Sequence, residues 1–347
     1  MTEGLSDDLT EDGRLVGAAD AGRPGPSRLR VNIALQGGGS HGAFAWGVLD
    51  RLLEEDDLEI PGVVGTSAGA MNAVMLAAGL ASGGHEGARS LLDAFWDRVS
   101  HEGAPRFGPA TFAMFGPAAA AWAWAAAEVW GRAFSPYQFN PLNYNPLRRI
   151  LEQLVDFSLL RDGRVKLFLC ATNVLTGDLR VFDQTEIGPD HVLASACLPT
   201  VFQAVRIGDD YYWDGGYLGN PAIFPVIYNT TCEDVLIIQI NPRSITRLPT
   251  TPQEIADRVN TISFNSSLQR ELRAITFVSG LVEEGVLDAT RFKRLNVHMI
   301  DAEEELRGLG AQSKFDTDPR FLAELRAIGR RRASEWLARN GALASTP

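Results

Sequence analysis

Short apolar runs alternate with stretches of helical periodicity in the first part of the chain. Residues 31–35 form an apolar run that stops at glycines, which is typical of a buried strand. Residues 42–55 place apolar side chains three and four positions apart, which predicts a helix. A second apolar run follows at 60–64, and a helix of small residues is predicted at 69–81. This order of strand, helix, strand and helix predicts a parallel sheet with crossover helices.

The pattern continues with longer helices in the second half of the chain. An amphipathic helix is predicted at 255–284, and a closing amphipathic helix at 319–339 carries Arg330, Arg331 and Arg332. We interpret these arginines as a solvated face, with contact to anionic lipid as the alternative. Further strands are predicted at 167–171, 179–182, 235–240 and 295–300.

These elements divide the 347-residue chain into three parts. Residues 1–28 are polar, glycine-rich and acidic, which predicts a disordered tail. Residues 29–240 are expected to form a three-layer α/β/α domain with a mostly parallel central sheet. Residues 241–347 are expected to form a mainly helical extension packed on that domain.

An insertion at about residues 108–147 interrupts the α/β pattern. Its first part is uncharged and approaches the ~20 residues of a membrane-spanning helix. Because Gly116-Pro117 breaks this stretch, we expect a buried helix or a lid rather than a membrane span. Trp122, Trp124 and Trp130 suit a lid, since amphipathic rings settle at a boundary between lipid and water. The remainder of the insertion is rich in proline, asparagine and aromatic residues and is predicted to be a loop.

Composition and charge restrict the function classes. The chain is 45% hydrophobic, which is too apolar for general disorder, and its 32 basic and 43 acidic side chains give a formal charge of −11. This charge disfavours nucleic acid as a partner and bulk attraction to anionic membranes, because both need a basic surface. Cys170, Cys197 and Cys232 suit neither a disulfide framework nor a zinc site, and the amino terminus lacks the apolar stretch of a secretory signal. We therefore expect a cytoplasmic location.

The first predicted strand runs into the glycine-rich segment QGGGSHG at 36–42. The spacing of Gly37, Gly39 and Gly42 matches the dinucleotide pattern GxGxxG, so binding of NAD or a flavin is one interpretation. Such a site also needs an acidic residue at the end of the second strand, where this chain has GTSAG. The backbone N–H groups of Gly37, Gly38 and Gly39 equally suit a developing oxyanion. A tight turn without a ligand is the third interpretation.

The segment Gly65-Thr66-Ser67-Ala68-Gly69 is a GxSxG motif between the second predicted strand and the next helix. A serine on such a sharp turn projects its Oγ away from the backbone, and the flanking glycines let strand and helix approach closely. The start of the helix adds positive potential where negative charge would develop. Ser67 is therefore predicted to be a nucleophile, and the alternative is a serine that only caps the helix.

A nucleophilic serine needs a base within hydrogen-bonding distance. Asp214 follows an aromatic strand and precedes Gly215 and Gly216, so its carboxylate is a candidate to accept the Ser67 proton directly. Because Asp-Gly is also a common turn signal, an ordinary turn aspartate fits this segment equally well. A triad of Ser67, Asp214 and His298 would have the chain order of an α/β-hydrolase, but His298 lies in a predicted strand.

Together these motifs resemble the patatin-like phospholipase family over roughly residues 30–228. The glycine-rich segment resembles the family's oxyanion block, and GTSAG resembles its nucleophile elbow. Asp214-Gly215-Gly216 resembles the DGG motif that supplies the second member of the family's catalytic dyad. ASACLP at 194–199 and Asn220-Pro221 resemble the segments on either side of that motif.

The resemblance implies a patatin-like fold, a catalytic dyad of Ser67 and Asp214, and an oxyanion hole around the three consecutive glycines. One position departs from the family pattern, because the loop usually carries arginine where this chain has His41. Any hold of His41 on an anionic head group would be weaker and would depend on pH. The supporting residues implied by the resemblance are Gly65, Gly69, Gly215, Gly216 and His41.

These inferences predict a serine acyl hydrolase that acts on lipid-like esters in the manner of a phospholipase A. No metal or other cofactor is expected, since no carboxylate cluster has the spacing of a calcium loop. The expected partners are the acyl ester and a membrane surface that is contacted peripherally. A thioesterase or a polyester depolymerase would use the same dyad. A dinucleotide-binding oxidoreductase and a non-catalytic lipid-binding protein are the alternatives from other classes.

Overall fold

One mixed sheet of eight strands forms the centre of the fold. The computed structural model describes residues 29–102, 134–161 and 163–340. In this part of the chain the strands are β1 Asn32–Leu35, β2 Gly62–Gly65, β3 Lys166–Asn173, β4 Leu179–Asp183, β5 Val205–Ile207, β6 Asp210–Asp214, β7 Asp234–Gln239 and β8 Asn296–Asp301. Their order across the sheet is β5-β6-β3-β2-β1-β7-β8, and β4 pairs with β3 outside that path.

The register of the strands brings three predicted motifs to one edge of the sheet. Strands β3, β2, β1, β7 and β8 are parallel, and Leu35 at the end of β1 pairs with Gly65 at the end of β2. The glycine-rich segment and the GxSxG turn therefore leave neighbouring strands side by side. Strand β6 is antiparallel to β3 and pairs Asp214 with Ala171, two residues beyond the Leu169 that pairs with Gly65.

Helices cover both faces of this sheet, which confirms the predicted three-layer arrangement. Ile33 and Leu35 belong to one core cluster and Ala34 to another, because successive strand side chains point to opposite faces. The helices are α1 Gly42–Leu52, α2 Ala68–Glu102, α3 Pro136–Phe139, α4 Pro146–Leu154, α5 Ser158–Arg161, α6 Pro189–Ser195, α7 Phe224–Asn229, α8 Pro252–Glu283, α9 Glu303–Leu306 and α10 Pro319–Asn340. Helices α1, α2 and α10 pack on the first face, and α7 and α8 pack on the second.

The closing helix α10 crosses α1 with the two backbones in direct contact. A Cβ atom on Gly47 would lie 2.0 Å from the carbonyl oxygen of Arg326, and one on Gly329 would lie 2.1 Å from that of Phe44. Both helices therefore need glycine at the crossing. The region after residue 240 is mainly helical, and it also supplies strand β8 to the sheet.

A buried carboxylate adds an ionic contact beside this crossing. The Asp50 side chain is only 2% exposed and is paired with Arg89, Arg326 and Arg330. Arg331 and Arg332 pair with Glu305, so all three arginines of the run at 330–332 make ion pairs within the protein. Charge balance of this kind offsets the cost of burying Asp50.

Several element boundaries differ from the sequence-based expectation. The helix predicted to end at 81 continues to Glu102, with non-helical backbone at Gly83 and Gly84. The segment predicted as a loop at 135–146 contains the single turn α3, which Ser135 caps. The predicted tail at 1–28 and the predicted lid residues Trp122, Trp124 and Trp130 lie outside the described residues. None of the helices described here is long and apolar enough to cross a membrane.

The helix crossing predicts opposite effects for the same substitution at two helical glycines. Gly47→Ala places a methyl group against backbone and should lower the free energy of unfolding by at least about 2 kcal/mol. Gly280→Ala is the matched control, because a Cβ there meets no atom within 4 Å. That variant should be neutral or up to about 1 kcal/mol more stable, since alanine is the better helix former. Urea unfolding measures both, and a Gly47→Ala protein as stable as wild type would contradict the close contact.

Candidate active site

Ser67 occupies a strained turn between β2 and α2. Its φ of +58° lies in the left-handed region that side chains rarely adopt. A Cβ atom on Gly65 would lie 2.3 Å from the carbonyl oxygen of Gly69, so the turn closes only with glycine there. The first turn of α2 is closed by the Ser67 carbonyl oxygen, which accepts the N–H groups of Ala70 and Met71. The side chain stays available for another contact.

A second serine holds the backbone of this turn. The Ser67 N–H donates to Ser195 Oγ at 3.0 Å, and Ser195 Oγ donates to the carbonyl oxygen of Cys170 at 2.6 Å. Ser195 is completely buried and ends α6. The sequence suggested Ser195 only as part of a family-like segment, and its contact with Ser67 had no local signal.

Asp214 is completely buried at the end of β6. One carboxylate oxygen, Oδ1, accepts the Gly216 N–H at 2.7 Å, as an ordinary turn aspartate would. The two following glycines allow close packing, because a Cβ on Gly215 would lie 2.1 Å from the Cys170 carbonyl oxygen and one on Gly216 would lie 2.3 Å from Phe264. Complete burial sets this carboxylate apart from a turn residue at the surface, since buried acids are rare without a partner.

The electrostatics of Asp214 link it to Ser67. Burial raises the pKa of Asp214 to about 6, while the Ser67 hydroxyl, the Gly216 N–H and the charge of Lys314 act in the opposite direction. The Ser67 hydroxyl is thus near enough to stabilise the carboxylate as a donor. Asp214 Oδ2 is buried and has no hydrogen-bond partner among the described residues, so it stays available to accept a proton.

The glycine-rich segment lies directly against the serine turn. A Cβ on Gly37 would lie 2.5 Å from the Cβ of Ser67. The Gly37 N–H already donates to Asn220 Oδ1 at 2.7 Å, so the expectation that all three glycines offer free donors needs correction at this residue. The N–H groups of Gly38 and Gly39 have no acceptor among the described residues, and Gly39 has a φ of +60°.

Buried amide side chains fix the course of this segment. Gln36 Oε1 accepts the N–H groups of Ile240 and Asn241, and Gln36 Nε2 donates to Asn265 Oδ1 at 2.9 Å. Asn241 Nδ2 donates to the Gly37 carbonyl oxygen at 2.7 Å. Because each of these buried groups has a partner, the network specifies one loop conformation. The sequence indicated Asn220 in the family-like pair with Pro221 but none of the other amides.

None of the five histidines bonds to Ser67 or Asp214 in the described structure. His298 lies on β8 opposite Leu236, and its Nε2 is 2.7 Å from Asp234 Oδ1. Strand β8 is three strand spacings from β2, which is roughly 14 Å at ~4.8 Å per spacing. The structure therefore does not bring His298 to the serine turn, and its contact with Asp234 lies within the sheet.

His41 is buried beside the glycine-rich segment. Its Nε2 lies 2.8 Å from Ser313 Oγ, and its ring makes an edge contact with Phe321. Burial and the charge of Lys314 lower the pKa of His41 to about 3, so the ring is neutral near pH 7. A pH-dependent hold on an anionic head group is therefore not supported, and His41 instead joins the segment to the C-terminal region.

The described residues include no group of three or more His, Cys, Asp or Glu side chains that could hold a metal ion. The chemistry-bearing groups gathered at the sheet edge are a hydroxyl, a carboxylate, two backbone N–H groups and the ammonium group of Lys314. This set can transfer a proton and stabilise a negative charge. Lys314 had no sequence signal, because it lies 100 residues beyond Asp214 on the 3-10 turn Ala311–Phe315.

The chain is similar, at low sequence identity, to several solved structures. In solved structures the chain is similar to VipD from Legionella pneumophila, with a TM-score of 0.42 and 16% identity over 90% of this chain and 67% of that one. It is also similar to the type III effector ExoU, with a TM-score of 0.36 and 14% identity over 90% of this chain and 53% of that one. The chain thus spans about two thirds of VipD and about half of ExoU.

A comparison with single protein sequences and a comparison with family models give different results for this chain. Curated protein sequences gave no significant match to this chain. The family model of the patatin-like phospholipases matches residues 33–227, which is more than half of the chain. These residues include the glycine-rich segment, the serine turn and Asp214. The chain belongs to the patatin-like phospholipase family.

Proposed function

We propose that the protein is a serine acyl hydrolase for lipid-like esters, with Ser67 as nucleophile and Asp214 as general base. The single observation that carries this proposal is the completely buried carboxylate of Asp214 beside the hydroxyl of a strained serine turn. A raised pKa near neutrality matches a group that must accept a proton and later return it. Membership of the family supports a lipid as the substrate class.

The first half-reaction forms an acyl-enzyme. Asp214 takes the proton of Ser67 as Oγ attacks the ester carbonyl carbon, and the carbonyl oxygen becomes an oxyanion. The N–H groups of Gly38 and Gly39 donate to that oxyanion, and each such donor is typically worth about 3 kcal/mol in the transition state. When the tetrahedral intermediate collapses, the C–O bond to the leaving alcohol breaks. Asp214 returns the proton to that alcohol or lysolipid, which departs.

The second half-reaction regenerates the enzyme. Water attacks the acyl carbon of the Ser67 ester while Asp214 accepts a proton from the water. The same N–H groups stabilise the second oxyanion. Collapse breaks the bond between Ser67 Oγ and the acyl carbon, and Asp214 returns the proton to Oγ. Acid is released, and both residues are again in their starting protonation states.

The approach of a lipid surface is proposed to involve the exposed residues after the Trp-rich part of the insertion. Tyr137, Phe139, Leu142 and Tyr144 are all exposed large hydrophobic residues. The Asn140 carbonyl oxygen between them accepts from Gln203 Nε2 at 2.8 Å. Residues 203–204 lead into β5, whose Val205 pairs with Tyr212 two positions before Asp214. An apolar surface next to the site suits peripheral contact with lipid.

Ser67→Ala tests the nucleophile. We expect hydrolysis of a short soluble ester to fall by at least about 10³-fold. Catalytic residues that act as a unit lose most of their effect on the rate when one of them is removed. Covalent labelling by a fluorophosphonate probe should disappear in the same variant. Ser100→Ala is the control, because Ser100 is a partly exposed serine on α2 whose hydroxyl donates to the Asp97 carbonyl oxygen, and this variant should keep both readouts. Wild-type esterase activity in a folded Ser67→Ala protein would exclude this mechanism.

The pKa of Asp214 gives both activity and stability a predicted pH dependence. Activity needs the ionised base, so kcat/KM should fall about tenfold per pH unit below about pH 6. The folded-state pKa lies above its ordinary value of 3.8, so the Asp214 contribution to stability is complete below 3.8 and is lost as pH rises through about 6. Asp214→Asn should therefore abolish activity and unfold at higher urea than wild type at pH 8, by roughly 1–3 kcal/mol.

The control for this prediction is the same comparison at pH 4, where the difference between Asp214→Asn and wild type should shrink. If the free energies of unfolding of Asp214→Asn and wild type differ equally at pH 4 and pH 8, the substitution acts through packing rather than through ionisation of Asp214.

Two exposed tyrosines test the lipid-facing surface. Tyr144→Ser should lower turnover on phospholipid vesicles several-fold and leave turnover of a short soluble ester unchanged, because the 68% exposed side chain is proposed to contact lipid and takes no part in the chemical steps. Tyr228→Ser is the matched control, since Tyr228 is 78% exposed on α7, whose end lies near the start of β2 at the opposite edge of the sheet. Equal loss on both substrates for Tyr144→Ser, or equal vesicle defects for both variants, would contradict this surface.

A further inference from the structure

Lys314 brings a positive charge to the site from a part of the chain beyond the matched family region. Its ammonium group lies deep enough that burial lowers its pKa, although the residue as a whole is partly exposed. The Lys314 carbonyl oxygen also touches the glycine-rich segment, because a Cβ on Gly39 would lie 2.2 Å from it. A lysine is seldom placed this way without a partner, since desolvation of a charge is costly.

The ammonium group is held on two sides. Lys314 Nζ donates to Asn241 Oδ1 at 2.9 Å and lies 5.6 Å from the centroid of the Phe264 ring. Phe264 is also the residue that packs against Gly216, directly after Asp214. A cation over an aromatic face is attracted by the ring, and this contact fixes Lys314 above the aspartate turn.

Asn241 passes this contact on to the serine turn. Its oxygen accepts from Lys314, so its amide nitrogen is oriented to donate to the Gly37 carbonyl oxygen at 2.7 Å. Gly37 is the residue that lies against the Ser67 side chain. With a lysine donor, the amide can adopt only this orientation. The contacts therefore run without a gap from Lys314 through Asn241 and Gly37 to Ser67.

The charges around Lys314 point to an electrostatic role as well. The Lys314 ammonium group lowers the pKa of Asp214 and of His41, and the carboxylates of Asp214 and Asp257 favour its charged form in turn. Cys197 and Tyr217 also face Asp214, and their pKa values of about 12 keep them neutral below pH 10. His41 is neutral above about pH 4. Of Asp214, His41, Cys197 and Tyr217, Asp214 is thus the one whose pKa lies between 5 and 8.

We infer that Lys314 is a positioning residue of the proposed acyl hydrolase, which orients the glycine-rich segment through Asn241 and holds a positive charge beside Asp214. This inference rests on the proposed function. With Lys314 in this role, the C-terminal region supplies a working part of the proposed catalytic site and does not only cover it. The ammonium group keeps Asp214 ionised to lower pH than burial alone would allow, and it steadies the loop that carries the Gly38 and Gly39 donors.

Lys314→Met is the primary test. We expect kcat for a short soluble ester to fall roughly 10- to 100-fold with little change in KM. A displaced glycine-rich segment would weaken stabilisation of the transition state more than it weakens binding of the ester. The fall of kcat/KM at low pH, which we call the acid limb of the pH profile, should move to higher pH. The positive charge that lowers the Asp214 pKa is absent in this variant. Lys314→Arg should restore the position of the acid limb. Lys314→Gln keeps a donor for Asn241 and serves if the methionine variant does not fold.

Lys293→Met is the matched control. Lys293 is also partly buried, and its Nζ donates to the carbonyl oxygens of Ile227 and Thr230 at the end of α7. The substitution removes the same charge from the protein, and it should leave the acid limb in place. A shift of equal size in both variants would mean that net charge alone moves the profile, which would overturn the inference.

A titration without turnover separates this inference from the proposed function. The Asp214 carboxyl can be followed by NMR in Ser67→Ala, with and without Lys314→Met. Its pKa should rise when Lys314 is replaced, whether or not the protein hydrolyses esters. An unchanged Asp214 titration together with an unchanged acid limb would overturn the role of Lys314. Activity retained in Ser67→Ala would instead overturn the proposed function and leave the titration result standing.

Discussion

The register between β1 and β2 is the constraint on which the site depends. Leu35 at the end of β1 pairs with Gly65 at the end of β2. The segments that follow these two strands therefore leave the sheet side by side, and their turns are in contact. A Cβ on Gly69 would lie 2.2 Å from the Leu35 carbonyl oxygen, and one on Gly37 would meet the Ser67 side chain. Glycine at these positions is therefore required by the space between two backbones as well as by turn geometry. A shift of one residue in this register would separate the glycine-rich segment from the Ser67 hydroxyl.

Contacts from distant parts of the chain stabilise that local arrangement. Ser195 and Asn220 hold the two turns from within the region that matches the family model, whereas Asn241, Asn265 and Lys314 come from beyond it. The sheet itself also continues into this later region through β7 and β8. A domain that ended at the last matched residue would lack strands β7 and β8, the amide partners of Gln36 beyond residue 227, and the charge beside Asp214.

How much the sequence predicts depends on whether the signal is local. The glycine-rich segment, the serine turn and Asp214 were found because each is a short pattern of residue types between a strand and a helix. The pairing of the Gly37 N–H with Asn220 joins residues 183 positions apart, so no local pattern marks it. His41 was expected to be a weak, titrating cation, but burial against the C-terminal region makes it neutral. The sequence predicts a helix that ends at 81, whereas α2 continues to Glu102 past the non-helical Gly83 and Gly84, because glycines that interrupt a helix resemble its end.

The contact between His41 and Ser313 joins residues 272 positions apart. During synthesis on the ribosome, the serine turn and its glycine-rich neighbour emerge long before the segment that encloses them. The nascent chain therefore carries an incomplete site until residues near 314 have left the exit tunnel and closed a very long loop. Contacts of such sequence separation form late in folding. The arrangement of the serine turn and its glycine-rich neighbour would in this way be complete only once the C-terminal region has docked.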